Sequence, residues 1–186
     1  MLSDKIWVTR KVRINTEKRL LKNVLLSQVL MIVYSSILVF STIWNLTHPN
    51  NDVNLLLVCG SIAVLIVSIY LSSQKFIERS LSIRNCYVQL DKIYNAVKRA
   101  EESQDTKMIE NYETIYSDIL LSVENHTDYD YLCMRHSIRN EEDTTLPKYT
   151  KLDFFHYILE KAYRLLVGVL YFCLPLMILF IWNILK

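Results

Sequence analysis

The chain alternates between long apolar runs and charged stretches with a helical rhythm. Residues 24–43 (VLLSQVLMIVYSSILVFSTI), 53–74 (VNLLLVCGSIAVLIVSIYLSSQ) and 165–185 (LLVGVLYFCLPLMILFIWNIL) give 20, 22 and 21 residues without a charged side chain. A helix rises about 1.5 Å per residue and needs roughly 20 residues to cross a ~30 Å hydrocarbon core. Each run is long enough to span a bilayer. The competing reading is the buried helix of a soluble protein, and a core of this size has little use for three of them. Pro175 sits inside the third run and marks either a kink or an interfacial helix.

Between the second and third runs the pattern changes. Ile83, Tyr87, Leu90, Tyr94 and Val97 recur at steps of three and four. That stripe predicts a helix continuing from the second span to about Ala100. Glu78, Arg79, Arg84, Asp91, Lys92 and Lys98 fall off it. The polar segment 101–107 interrupts, and a second stripe follows at Met108, Tyr112, Ile115, Ile119 and Val123. Two amphipathic helices with a short polar link are expected to fold back as an antiparallel pair. Such a pair buries little by itself and calls for neighbours from other subunits or from the helix leading into the third span. After Asn125 the period is lost, and 127–147 reads as irregular. Thr150 and Asp153 have capping-box spacing, which starts the last helix through Phe154, Tyr157 and Ile158.

The expected fold is an all-α membrane protein with an N-terminal transmembrane hairpin, a cytoplasmic antiparallel helical hairpin and a C-terminal third transmembrane helix. Its parts are a basic cytoplasmic N-terminus (1–23), a two-span hairpin (24–74), a cytoplasmic helical hairpin (75–126), an irregular cytoplasmic segment (127–150), and an approach helix with the third span (151–186). The polar stretch before the first run is too extended, and the run too long, for a cleaved signal peptide.

Composition narrows the function. Glycine occurs twice and proline three times in 186 residues, which excludes phosphate-cradling glycine loops and dinucleotide fingerprints. Orientation follows from charge. Lys5, Arg10, Lys11, Arg13, Lys18, Arg19 and Lys22 precede the first span, while the loop 45–54 carries no Lys or Arg. Lys75, Arg79 and Arg84 follow the second span, and Lys148, Lys151, Lys161 and Arg164 precede the third. The N-terminus and the middle region are therefore expected inside, and the short loop and C-terminus outside, a multi-pass arrangement. Trp44 and Trp182 then fall at the outer interface, Tyr70 and Tyr163 at the inner one. The basic N-terminus is also suited to anionic lipid headgroups.

Polar residues inside the spans are the first candidate site. Asn54, Ser61, Ser68 and Ser72 lie within about 40° of one another on the helical wheel, and Ser27, Gln28, Ser35, Ser41, Thr42 and Asn45 on a stripe of about 140°. One reading is that Ser27, Ser35, Thr42, Asn54, Ser61, Ser68 and Ser72 line an aqueous path in an oligomer. The other is close helix packing, with hydroxyls bonded back to their own helices. No Asp, Glu, Lys or Arg is embedded in a span, which argues against a proton-coupled transporter or a voltage sensor.

Other chemistry finds little support. His126, Cys133 and His136 lack a fourth zinc ligand and a paired motif, so no metal is expected. The scattered Cys59, Cys86, Cys133 and Cys173 imply no disulfide framework. No nucleophile, base and acid are united in a local motif, so the chain is not expected to be an enzyme or to carry a cofactor. Glu141-Glu142-Asp143 reads as a solvated loop. A net charge of +2 without a basic groove gives no case for nucleic-acid binding.

Two close spans lead into a helix with Glu78-Arg79-Ser80-Leu81 and Arg84-Asn85-Cys86-Tyr87-Val88-Gln89-Leu90. Tyr112-Glu113-Thr114-Ile115, Glu124-Asn125-His126 and Asp128-Tyr129-Asp130-Tyr131 follow. This arrangement resembles the SLATT family (SMODS and SLOG-associating two-transmembrane effector domains) over roughly residues 18–131. The third span departs from the two-span plan. The resemblance implies a pore-forming effector of anti-phage immunity, silent until a nucleotide signal or a signal-producing partner protein triggers membrane disruption. The expected function is thus a channel-like homo-oligomer in membrane lipid. Arg84, Tyr87 and Leu90 would set the hairpin or its subunit contacts, and Asn125 and His126 would fix the end of the second helix. The alternative is a non-conducting membrane adaptor or sensor whose hairpin recruits a partner.

Overall fold

The computed structural model describes residues 1–140 and 146–184, with side chains through residue 173. Glu141-Glu142-Asp143 and the side chains of Pro175 and Trp182 lie outside what is described. Six helices account for the secondary structure described: α1 (Leu2–Thr47), α2 (Asn51–Ser73), α3 (Phe76–Glu102), α4 (Thr106–Leu121), α5 (Asp128–Ser137) and α6 (Lys151–Ile184).

Local chemistry explains the breaks. α1 runs 46 residues without Gly or Pro and ends ahead of His48-Pro49, where the residue before proline is pushed out of helical geometry. Asn50 then caps α2, its side chain accepting from the Asp52 amide. The expected continuous passage from the second span into the next helix is interrupted: Lys75 takes a left-handed conformation (φ 49°) between α2 and α3. Gln104 does the same (φ 54°) between α3 and α4. There the Asp105 amide donates to the Ala100 carbonyl and the Gln104 amide to that of Glu101, the pairing of a Schellman turn. Asp105 caps α4 through the Met108 amide. The capping box at Thr150 and Asp153 forms with both arms, and α6 starts beside it at Lys151.

The chain divides into two compact units, Met1–Lys22 with Phe76–Tyr163, and Asn23–Lys75 with Arg164–Lys186. In the first, α3 and α4 pack along each other. They run antiparallel, since Arg79 at the start of α3 meets Glu124 just beyond the end of α4. Cys86, Leu90, Val97 and Ile119 form the buried cluster between them, and Leu2 and Ile6 of α1 complete it. A second cluster joins Val12 of α1 to Met134 and Ile138. Each fully buried Leu or Ile contributes about 1.5–3 kcal/mol.

Two expectations are corrected here. Residues 1–22 are a helix in the core of the first unit, and α1 is the neighbour that the α3–α4 pair requires. The segment 127–150 is not wholly irregular, because α5 occupies ten residues of it, started by Thr127 and Asp130, a Thr-x-x-Asp box of the kind that starts α6.

In the second unit, Asn45 is buried and its amide donates to the side chain of Asn54, while its carbonyl oxygen accepts from the Asn50 amide 3.2 Å away. This closes the turn between α1 and α2. Gly60 lies where an added Cβ would come 3.1 Å from Leu38, so the two helices approach closely there. The Tyr34 hydroxyl donates to the Tyr171 carbonyl of α6. Among the described residues, two stretches are long and apolar enough to cross a membrane, Leu2–Thr47 and Asn51–Glu102. The third expected span extends into the undescribed side chains of α6.

Candidate functional site

The polar contacts of the first unit converge on the N-terminal part of α1. At its first turn, the Glu101 carboxylate accepts from the Leu2 amide (2.5 Å), the Ser3 amide (3.1 Å) and the Ser3 hydroxyl. A side chain from the end of α3 thus caps another helix and faces its positive end. Burial pushes the Glu101 carboxyl up, but these donors and the terminal ammonium prevail and hold it below its ordinary value.

Further along, Arg10 pairs with Asp91, the Thr9 and Tyr116 hydroxyls lie 2.8 Å apart, and Arg13 donates to the Glu124 carbonyl. Glu124 in turn holds Arg79 through both carboxylate oxygens (2.8 and 3.0 Å). Glu17, almost fully buried, accepts from Arg84 (2.7 Å) and the Tyr87 hydroxyl (2.8 Å). Two residues later Arg19 grips Asp130 with Nε (2.9 Å) and Nη2 (3.1 Å). Asp130, 1% exposed, also accepts from the hydroxyls of Thr16 and Thr127 and the amide of Thr127. Burial raises its carboxyl, and the Arg19 and Thr127 donors outweigh that and lower it below the ordinary value. A carboxylate so deep is tolerated because it is paired and multiply hydrogen-bonded.

His126 sits beside this network with Nδ1 buried and unpartnered. Burial and the nearby Arg13 charge lower its pKa, against the pull of Asp130 and Asp128. His136 lies apart, its ring stacked on Tyr157 at 4.1 Å and its Nδ1 3.2 Å from the Tyr149 hydroxyl. Among the described residues no group of three His, Cys, Asp or Glu is arranged to hold a metal ion. A cavity of about 170 Å³ lies between Arg79, Ser82, Leu121 and Glu124. That is below the roughly 300 Å³ at which small-molecule sites begin.

The sequence-derived candidates fall into two groups. Arg84 and Tyr87 meet on Glu17, Leu90 is wholly buried in the unit's core, and the Asn125 side chain accepts from the His126 amide (2.9 Å). The span residues are not brought together. Thr42 and Ser61 donate to the carbonyls of Leu38 and Val58 in their own helices, and Asn54 is held by Asn45. Ser35 and Ser72 are exposed, and Ser27 and Ser68 half-buried. Sequence reasoning missed Arg13, Thr16, Glu17, Arg19, Glu101 and Asp130. The signal was available: Leu2, Ile6, Thr9, Arg13, Thr16 and Leu20 follow steps of three and four, a helical stripe half of which is polar.

No curated protein and no solved structure matches the chain. The model of SMODS and SLOG-associating 2TM effector domain family 5 matches residues 1–181. A match over nearly the whole chain, on a helical protein with two stretches apolar enough to span a membrane, settles the family: this is a membrane protein of SLATT family 5, a two-transmembrane effector domain.

Proposed function

We propose that this chain is a homo-oligomeric, pore-forming effector of a bacterial anti-phage defence system, permeabilising the inner membrane when its extramembrane unit is triggered. The observation that supports this most is the continuity of α1. Residues 2–22 are clamped in the first unit, and the same unbroken helix runs on through the apolar residues 24–43. A rearrangement of the clamp is delivered along the backbone to a membrane segment, as a triggered channel requires. The first unit contains chain from before and after the two-span hairpin, so both flanks share one side of the membrane. Their basic residues favour the cytoplasmic side.

Three spans are too few to enclose a water path, so conduction takes several copies, with the span serines as pore wall. The trigger is a nucleotide signal or a signal-producing partner protein acting on the cytoplasmic unit. The protein acts on lipid without catalysis or cofactor.

Purified protein in dye-loaded liposomes tests this, with and without a panel of cyclic nucleotides. Leakage supports the reading, and dependence on one nucleotide makes the chain its own sensor. The Ser61→Leu, Ser68→Leu double variant is expected to assemble but not conduct. Silence from folded, inserted wild-type protein, in every condition, would move the assignment to a non-conducting adaptor.

A further inference from the structure

Helix α6 is amphipathic the wrong way round for a helix resting on a protein. Its polar side meets the rest of the first unit: Arg135 donates to Asp153 (3.2 Å), and His136 stacks on Tyr157. Its apolar side is bare. Leu152 is 72% exposed, Phe155 58%, Leu159 50% and Leu166 57%. With Ala162 these residues follow steps of three, four, three and four, the spacing of a coiled-coil seam. Taking Leu152 as position a, Tyr157 falls at f, opposite the seam. Ile158 and Tyr163 flank it at g and e, widening the apolar face.

Lipid does not cover this part of the helix. At about 1.5 Å per residue, the 34 residues of α6 extend about 51 Å. A bilayer core takes about 30 Å of that. With 165–185 in the membrane, residues 151–164 stand outside it. Asp153, His156, Glu160, Lys161 and Arg164 keep that portion there. Leu152, Phe155 and Leu159 therefore face water until a protein surface covers them. Membrane anchoring holds copies of this chain parallel and at equal height. Equal stripes then meet in register, the condition for a parallel coiled coil.

We propose that the seam Leu152–Phe155–Leu159–Ala162 is where α6 of one copy packs against α6 of another, joining subunits just outside the membrane. The inference rests on the oligomeric reading above and names its contact.

The test places a photo-crosslinking amino acid at Phe155 or Leu159, and at Asp153 or Arg164 as controls, in full-length protein in native membranes. A product at twice the subunit mass is expected from 155 and 159 and its loss from 153 and 164. A Phe155→Glu, Leu159→Glu double variant is expected to lose the oligomer in nanodiscs while retaining the helical content of the wild type. Wild-type protein that is oligomeric and leaky, yet gives no subunit product at 155 or 159, would overturn this contact and leave the pore standing. Lipid adducts alone at those positions would overturn it too. Wild-type protein that is monomeric and silent would overturn both.

Discussion

Arg19 on α1 and Asp130 on α5 form a two-pronged ion pair, at 2.9 and 3.1 Å, in which the carboxylate is almost completely withdrawn from water. Removing one partner strands the other. Arg19→Ala is expected to destabilise the first unit by about 3–5 kcal/mol, the range for breaking a buried pair. The folded-state pKa of Asp130 lies below its unfolded value, so its contribution is complete above the ordinary carboxylate range. It is lost as pH falls through the depressed value. The Arg19→Ala protein is therefore expected to unfold at a higher pH on acidification, followed by circular dichroism. An acid limb matching wild type would sink this account.

His126 gives a second pH dependence, in a milder window. Its folded pKa is lowered, so the unfolded chain takes up a proton first as pH drops below the ordinary value of 6.5. Stability is complete above that value and declines below it. His126→Asn is expected to flatten the fall in Tm between about pH 7 and pH 5. A slope equal to wild type in that interval would remove His126 from consideration.

Tyr87 donates to the buried Glu17 carboxylate. Tyr87→Phe deletes that hydroxyl alone and leaves Arg84 in place. Hydrogen bonds to charged groups contribute roughly 1.5–3 kcal/mol, and a loss of about 2 kcal/mol is expected from thermal or chaotrope unfolding of the first unit. If the clamp restrains the membrane segment, the same variant leaks more readily in liposomes.

Gln104 occupies a left-handed conformation that glycine adopts without steric cost. Gln104→Gly is expected to stabilise the α3–α4 turn by about 0.5–1 kcal/mol, partly offset by the freer unfolded chain. Slower amide exchange at Asp105, whose N–H closes the turn onto Ala100, would report it.

The first two apolar runs, the stripes of α3 and α4 and the start of α6 were legible because each rests on a strong local signal. Uninterrupted apolar length needs no tertiary partner, and the Thr150–Asp153 box is self-contained. The docking of α1 was not legible. Its buried face includes Thr9, Arg13, Thr16 and Glu17, whose polarity reads as solvent exposure until the donors and acceptors on α3–α5 are known. The basic residues there satisfied a topological rule, which hid their structural use: Arg13 and Arg19 are bound to protein groups. The box at Thr127 and Asp130 had the same form as the one that was recognised, but mixed charges and aromatics around it obscured the helix.

The interleaved composition of the first unit sets an order of biogenesis. Residues 1–22 leave the ribosome first, yet Asp91, Glu101 and Asp130 are synthesised only after both spans of the hairpin. The N-terminal segment stays without these partners until the returning chain supplies them. A chain in which only one span of the hairpin crossed the membrane would keep Arg13, Glu17 and Arg19 on the side opposite their partners. Completion of the unit therefore acts as a proofreading step on insertion, leaving wrongly threaded chains unfolded and open to proteolysis.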